Sequence, residues 1–417
     1  MKDYQKLRVL SYEHPTDFEK IVEGRKNAIG AVHTSLFIRP FDEKKEILLN
    51  QKEELFYLIL QKISLLKDKM SENSRKIDKL LSQLPKIAKD NIFYHLLIDE
   101  IQATNDIEGV QSTRQEIREA ITSILEKSKD KKRFKSLVNQ YMNFQKSEYS
   151  EIKKVEDIRS IYDALLDDEI EQSDKLAEGE LFRTKSVWIV DSKNSKKVHQ
   201  GVESQENIIK ALDELVKFMN RQDIPTFEKA FISHFVFENT HPFYDGNGRT
   251  GRFILCSYLA RKLDYLSAIG VSGAILDHKK KYLKAFQEVS NRRNFGEMTF
   301  FILDLFEILL ESQEKIFKNL ERADKRLENS IDVLKKLSKN KDELALLFAL
   351  SQQEIFDISN TVTDIELTEV LQVSRQKVDK LTTELRNQSL LIQTKKKPSM
   401  HQLSEKVISQ LKENSIL

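Results

Sequence analysis

Apolar residues recur along this chain mostly at helical spacing, and the interruptions mark where one element gives way to the next. Glu43 to Met70 reads as one helix, with Ile47, Leu48, Leu55, Leu58 and Ile59 as its apolar positions and Lys67-Asp68-Lys69 as a charged end. A second helix is expected from Ile87, just after Pro85, to Glu108, because Gly109 suits the left-handed position that closes a helix. Ser112 and Gln115 have the spacing of a capping box, so a third helix starts there, runs through Leu125 and ends in the solvated loop EKSKDKKR. At Ser186 the texture changes: SVWIV, DSKNSKK and VHQGV read as strand, polar tip and strand of a short hairpin. Thr226 to Thr240 is helical again, with Phe227, Ala230, Phe231, His234 and Phe235 near one face, and Pro242 forbids simple continuation. A helical apolar pattern resumes from Thr250 to Lys262, and a long polar helix follows Phe301 to about Asn340.

The tail has its own pattern. DIELTEVLQVSRQKVDKLTTELRNQSLLIQ reads as helix, short turn at Val373-Ser374, helix, and a strand from Leu390 to Gln393, the order of a winged helix-turn-helix. Its second helix carries Arg375, Lys377, Lys380 and Arg386, diluted by Asp379 and Glu384, so DNA and a protein partner are equal candidates for it.

Composition supports a mainly α chain: only 11 glycines and 6 prolines interrupt 417 residues, too few for a turn-rich fold. The 68 basic and 66 acidic residues leave a formal charge of +2, which gives no global argument for nucleic acid. The single cysteine, Cys256, lies in an apolar run and excludes an intrachain disulfide or a cysteine zinc site; it reads as a small buried hydrophobe. The N-terminus lacks the apolar stretch of a signal peptide, and the greasiest segment, MTFFILDLFEILLES, is interrupted by Asp304 and Glu307. A cytoplasmic location without membrane contact is therefore expected.

Candidate chemistry concentrates between His241 and Arg252, in HPFYDGNGRTGR. Gly246 and Gly248 permit unusual dihedrals and close backbone approach, and a helix begins just beyond them. Unpaired N–H groups and the positive end of the helix dipole then surround one point, which is an anion site. Arg249 and Arg252, three apart, offer two guanidinium forks for two phosphate groups. Asp245 would be repelled by bare phosphate and fits best with Mg²⁺ between them, so Mg-ATP is the natural ligand. His241, at the mouth of the loop, suits the role of a base for a hydroxyl.

The run matches H-x-F-x-[D/E]-G-N-G-R-x-x-R at every fixed position and so resembles the signature of the Fic family. The resemblance implies a helical Fic core that transfers AMP from ATP to a Ser, Thr or Tyr hydroxyl of a target protein and releases pyrophosphate. It further implies His241 as general base, Asp245 as Mg²⁺ ligand, Gly246, Asn247 and Gly248 as anion cradle, Arg249 and Arg252 as holders of the β- and γ-phosphates, and Phe243 as anchor of the loop. Upstream, TNDIEG resembles the family's inhibitory motif: Thr104 and Glu108 share a helix face, Gly109 ends the helix, and Glu108 would pair with Arg252. The hairpin around Trp188 is similar to the family's flap, which holds an extended target by backbone pairing. Tyr282 and Asn291 lie where the family closes over the base.

The expected organisation is an N-terminal helical extension (1–90), a Fic core with inhibitory helix and flap (91–310), a helical linker (311–341) and a winged helix-turn-helix (342–417). ATP, a target protein and the chain itself are the implied partners, with DNA or protein at the tail; homo-oligomer formation is left open. Three functions remain in play: an autoinhibited adenylyltransferase, a hydrolase that uses Glu108 to remove AMP, and a nucleotide-sensing DNA-binding regulator.

Overall fold

The computed structural model describes residues 4–42, 44–166, 168–190, 196–356, 362–414 and 416. About 62% of the chain is helical and its strands are few and short, so the expected mainly α class holds. Two compact units emerge, one formed by Met1–Arg75 with Leu97–Glu314 and the other by Lys76–Leu96 with Lys315–Leu417.

Two central helices organise the first unit. Thr226–Thr240 was expected to bury one face, yet Phe227, Phe231, Ile232, Phe235, Val236 and Phe237 are all buried. Neighbours on several sides explain this: helices Gln205–Met219 and Asn247–Ala260 both pack on it, Phe231 meets Phe306, and Phe235 stacks on Phe286 and meets Phe301. Each such phenylalanine contributes roughly 1.5–3 kcal/mol by leaving water. Helix Asn247–Ala260 is buried at every position, Cys256 included. The elements flanking the signature are thus fixed by core packing.

Helix Lys86–Glu108 ends as its sequence predicts. Gly109 is left-handed (φ +76°), the Val110 N–H donates to Asn105 O at 2.9 Å, and the Gly109 N–H donates to Asp106 O at 3.3 Å. The next helix, Arg114–Leu125, is capped one residue later than expected, by Thr113 and Glu116 in place of Ser112 and Gln115. The sequence STRQE offers the spacing twice; the glutamate accepts the Thr113 N–H at 2.8 Å with a charged oxygen, a stronger acceptor than a glutamine amide.

The helix expected over Glu43 to Met70 does not form. Instead Ala31–Ile38 pairs antiparallel with Glu53–Leu58, Phe41–Asp42 pairs with Ile47–Leu48, and only from Gln61 does a helix run, to Gln83. Leu55, Phe56, Tyr57 and Leu58 are all buried, a run that a strand buried on both faces tolerates and an amphipathic helix does not. Phe56 also bonds to Gly296 O and Met298 N, partners far away in sequence, so tertiary pairing overrides the local pattern. The extension is therefore part strand. The hairpin forms as expected, Trp188–Val190 against Lys197–Gln200, while its tip at 191–195 lies outside the described residues.

In the second unit, helices Asp364–Leu371 and Arg375–Asn387 flank a turn at Gln372 to Ser374, and a three-stranded sheet places Ser399–Leu403 between Val362–Thr363 and Leu391–Lys396. The Ala88 N–H donates to Gln352 Oε1 at 3.1 Å, which shows why residues 76–96 belong here. Among the described residues no helix is long and apolar enough to cross a membrane.

Candidate active site

His241 terminates helix Thr226–Thr240 in the left-handed conformation (φ 52°, ψ 62°), its N–H still donating to Phe237 O. Such a conformation costs a non-glycine residue roughly 1–2 kcal/mol. The Arg183 Nε donates to the His241 carbonyl at 2.7 Å and offsets part of that cost. Phe243 follows, fully buried and stacked on Tyr162 at 3.7 Å between ring centroids, as an anchor for the loop.

Asn247 closes the loop on itself. Its Oδ1 accepts the Phe243 N–H and its Nδ2 donates to Phe243 O, both at 2.8 Å, so its side chain is a clamp within the loop. Gly246 is left-handed (φ +79°), and a Cβ there would collide with Leu166. At Gly248 a Cβ would collide with the Glu108 carboxylate. That acidic group therefore sits against the first turn of helix Asn247–Ala260, where a helix N-terminus favours negative charge.

The two arginines diverge. Arg252, 2% exposed, donates from Nε to Thr104 Oγ1 at 2.9 Å, and from Nη2 to Thr104 O at 3.1 Å and Glu108 Oε1 at 2.8 Å. Arg249, equally buried, donates from Nη1 to Glu169 Oε2 at 2.8 Å and from Nη2 to Asp245 Oδ2 at 3.2 Å. Three-residue spacing does not make them a pair of forks on one ligand here, because each is drawn to a different carboxylate. Asp245 keeps its side chain 46% exposed, with Oδ1 accepting the Gly246 N–H.

Burial would raise the Glu108 carboxyl, but Arg252, with His241 and Arg249 beyond it, outweighs that and holds it below the ordinary range. Burial pushes the His241 imidazole down to about 4, with His199 and Arg183 adding to the shift and Glu108 opposing it. His241 is accordingly neutral at physiological pH and able to accept a proton. Beneath the loop, His234 Nδ1 lies 3.2 Å from Gly251 O and its Nε2 2.7 Å from the Tyr282 hydroxyl; burial holds it neutral, down to about 3. Tyr282 is thus buried and packed inward against His234.

Four further residues join the site without having been singled out from the sequence. Glu169 pairs with Arg249, and burial raises its carboxyl to about 7. Glu238, raised by burial to about 8 against the pull of Arg252, leaves its Oε1 unpartnered beside Gly251. His199, on the second hairpin strand, meets Asn239 O at 2.7 Å. Arg183 bonds the backbone around His241. The only signal for Glu238 was a lone acid in the last turn of an apolar helix; the others stand in unremarkable polar stretches.

Residues 152–259, which contain the signature loop, match the model of the Fic/DOC family. This chain carries a Fic/DOC domain. A probable protein adenylyltransferase of Aquifex aeolicus (strain VF5) is 35% identical over 69 residues, 16% of this chain and 19% of the relative, so the chain spans about a fifth of that protein's length. A Fic family protein from Desulfovibrio desulfuricans G20 aligns over 84% of this chain and 98% of its own, at 15% identity and a TM-score of 0.49. A Fic domain containing signaling protein from Bacteroides thetaiotaomicron VPI-5482 aligns over 63% and 97%, at 16% identity and a TM-score of 0.42. Within the Fic domain fall His241, Asp245, Gly246, Asn247, Gly248, Arg249 and Arg252, whereas Thr104, Glu108 and Gly109 lie upstream of the matched residues.

Proposed function

We propose that the Fic domain transfers AMP from Mg-ATP to a Ser, Thr or Tyr hydroxyl of a protein, and that Glu108 holds the enzyme at rest. One observation carries this reading: the Glu108 carboxylate lies against Gly248 at the helix N-terminus and on Arg252, groups whose chemistry suits a phosphate equally. With Glu108 withdrawn, those N–H groups and the Arg252 guanidinium are available to the triphosphate. The neutral His241 imidazole then takes the hydroxyl proton as oxygen attacks the α-phosphorus, and pyrophosphate leaves.

Asp245 suits Mg²⁺. Its half-exposed carboxylate stands beside the anion site, and among the described residues no three or more His, Cys, Asp or Glu side chains gather to hold a metal without a ligand's help. Mg²⁺ ordinarily takes one or two carboxylates and completes its shell with phosphate oxygens and water. When bound it supplies neutralising charge for the triphosphate. On this reading the unit containing the helix-turn-helix is a targeting module, with Arg375 and Lys380 exposed on its second helix.

Incubation of the protein and its Glu108→Gly variant with α-labelled ATP and a cell lysate tests the proposal. Covalently labelled protein that depends on His241 is expected; label that never leaves ATP, despite Mg-ATP binding, would refute it. The ionised state of Glu108 also favours a second use of the same site, orientation of a water for removal of AMP. Loss of label from a modified protein on adding wild type, but not Glu108→Gly, would make the hydrolase the correct reading.

A further inference from the structure

Transfer to a hydroxyl demands that the base and the segment bearing the hydroxyl be held in fixed relation. We propose that Arg183 is the positioning residue that supplies this relation by tying both roots of the hairpin to the backbone of His241. This inference rests on the transfer reading above.

Arg183 is fully buried, and among the described residues every acceptor its side chain meets is a backbone carbonyl. Its Nε donates to His241 O at 2.7 Å, Nη1 to Lys185 O at 2.6 Å, and Nη2 to Val202 O at 2.7 Å and Thr240 O at 3.3 Å. Its own N–H donates to Pro242 O at 3.1 Å. Lys185 immediately precedes the segment that leads into Trp188–Val190, and Val202 follows Lys197–Gln200, so one planar group spans the entry to the hairpin, its exit and the peptide of the base. A guanidinium fork fixes direction as well as distance, which an ammonium on a flexible stem does not.

Two further features separate this arrangement from an ordinary staple. Among the described residues no Asp or Glu side chain pairs with Arg183; burial lowers its guanidinium to about 10, with Tyr244 opposing the shift. The site around it is also closely fitted: a Cβ on Gly201 would collide with Arg183 Nη2 and press on the His241 Cβ, while the Gly201 N–H bonds to Val187 O across the hairpin base. The charged and titratable groups that face the His241 imidazole are His199, Glu108 and Arg183. Removal of the Arg183 charge therefore favours imidazolium, whereas a lysine retains the charge and loses the fork.

The test uses the full chain in the Glu108→Gly background, with Arg183→Lys, Arg183→Gln and Gly201→Ala. Expected in all three is Mg-ATP affinity within about twofold of the parent with turnover lower by about 10²-fold, the effect of a misplacement near 1 Å. In Arg183→Gln alone, the acid limb of the rate and the His241 imidazole titration followed by NMR move to higher pH. The backbone amide at position 201 exchanges hydrogen faster in every variant. Unchanged turnover, or a loss shared equally by Mg-ATP binding and melting temperature, overturns the inference. Should Arg183→Gln fail to fold, the lysine and Gly201 variants carry the test. A parent that binds Mg-ATP yet transfers nothing refutes the transfer reading, and the NMR titration and amide exchange then still decide whether Arg183 couples hairpin and histidine.

Discussion

Glu108 Oε1 lies 2.8 Å from Arg252 Nη2, and the same guanidinium is held from its other edge by Thr104 Oγ1. Helix Lys86–Glu108 therefore meets the signature arginine with both residues of TNDIEG that share its inward face. On the proposed function, each contact satisfies a donor that a γ-phosphate would otherwise use.

Glu108→Gly should raise protein labelling by well over tenfold. A resting bias of about 3 kcal/mol suffices to keep the competent arrangement below roughly 1%. Gel autoradiography at saturating Mg-ATP and matched folding checks this, and equal labelling by wild type and variant would remove the inhibitory role of Glu108.

His241→Ala in that background should lower transfer by roughly 10²- to 10⁴-fold while Mg-ATP affinity stays near the parent value. The imidazole acts on the incoming hydroxyl, so calorimetric titration should separate binding from chemistry. Loss of both together would make His241 structural.

The pH dependence follows from the depressed imidazole. With its midpoint near 4, the base is neutral from pH 8 down to about 5 and becomes protonated only as pH falls through 4, so the rate should show no acid limb near 6.5. Loss of the Glu108 charge, which favours imidazolium, moves the limb lower still. A limb at 6.5 in the Glu108→Gly variant would show that the imidazole is solvated in the working enzyme.

Arg252→Ala should erase discrimination between ATP and ADP. The guanidinium freed from Glu108 is the donor proposed for the γ-phosphate, so ATP affinity should fall and ADP affinity change little. Comparable weakening of both nucleotides would assign Arg252 to the fold.

Away from the loop, Glu100 gives a stability test. Burial raises its carboxyl to about 7, despite bonds from the Ser272 N–H at 2.7 Å and Ser272 Oγ at 2.6 Å. The folded state then holds a proton that the unfolded chain releases near 4.5, so this contribution is full below pH 4.5 and is lost as pH rises through 7. Between pH 5 and 8 the wild type should lose on the order of 2 kcal/mol from this group, a slope absent from Glu100→Gln in urea melts. Parallel pH curves for the two proteins would show Glu100 to be ionised throughout.

The sequence alone determined what depends on near neighbours. Gly109 ends its helix because the left-handed position there needs no Cβ, Pro242 stops continuation after Thr240, and Gly246 takes the left-handed position just before the helix that starts at Asn247, with Gly248 already in its first turn; all are local steric facts. The resemblance of HPFYDGNGRTGR and TNDIEG to family motifs implies the Glu108–Arg252 pairing, since a motif carries a long-range contact that periodicity cannot. Tertiary structure decided the rest. Residues 53–58 became a strand because distant backbone at Gly296 and Met298 offers hydrogen bonds, and Arg249 pairs with Glu169 because the fold brings that carboxylate beside it. Arg183 and Glu238 acquired their places in the same way: burial sets the charge state of one and the bonding of the other, and burial is a property of the packed chain that no local pattern of residues contains.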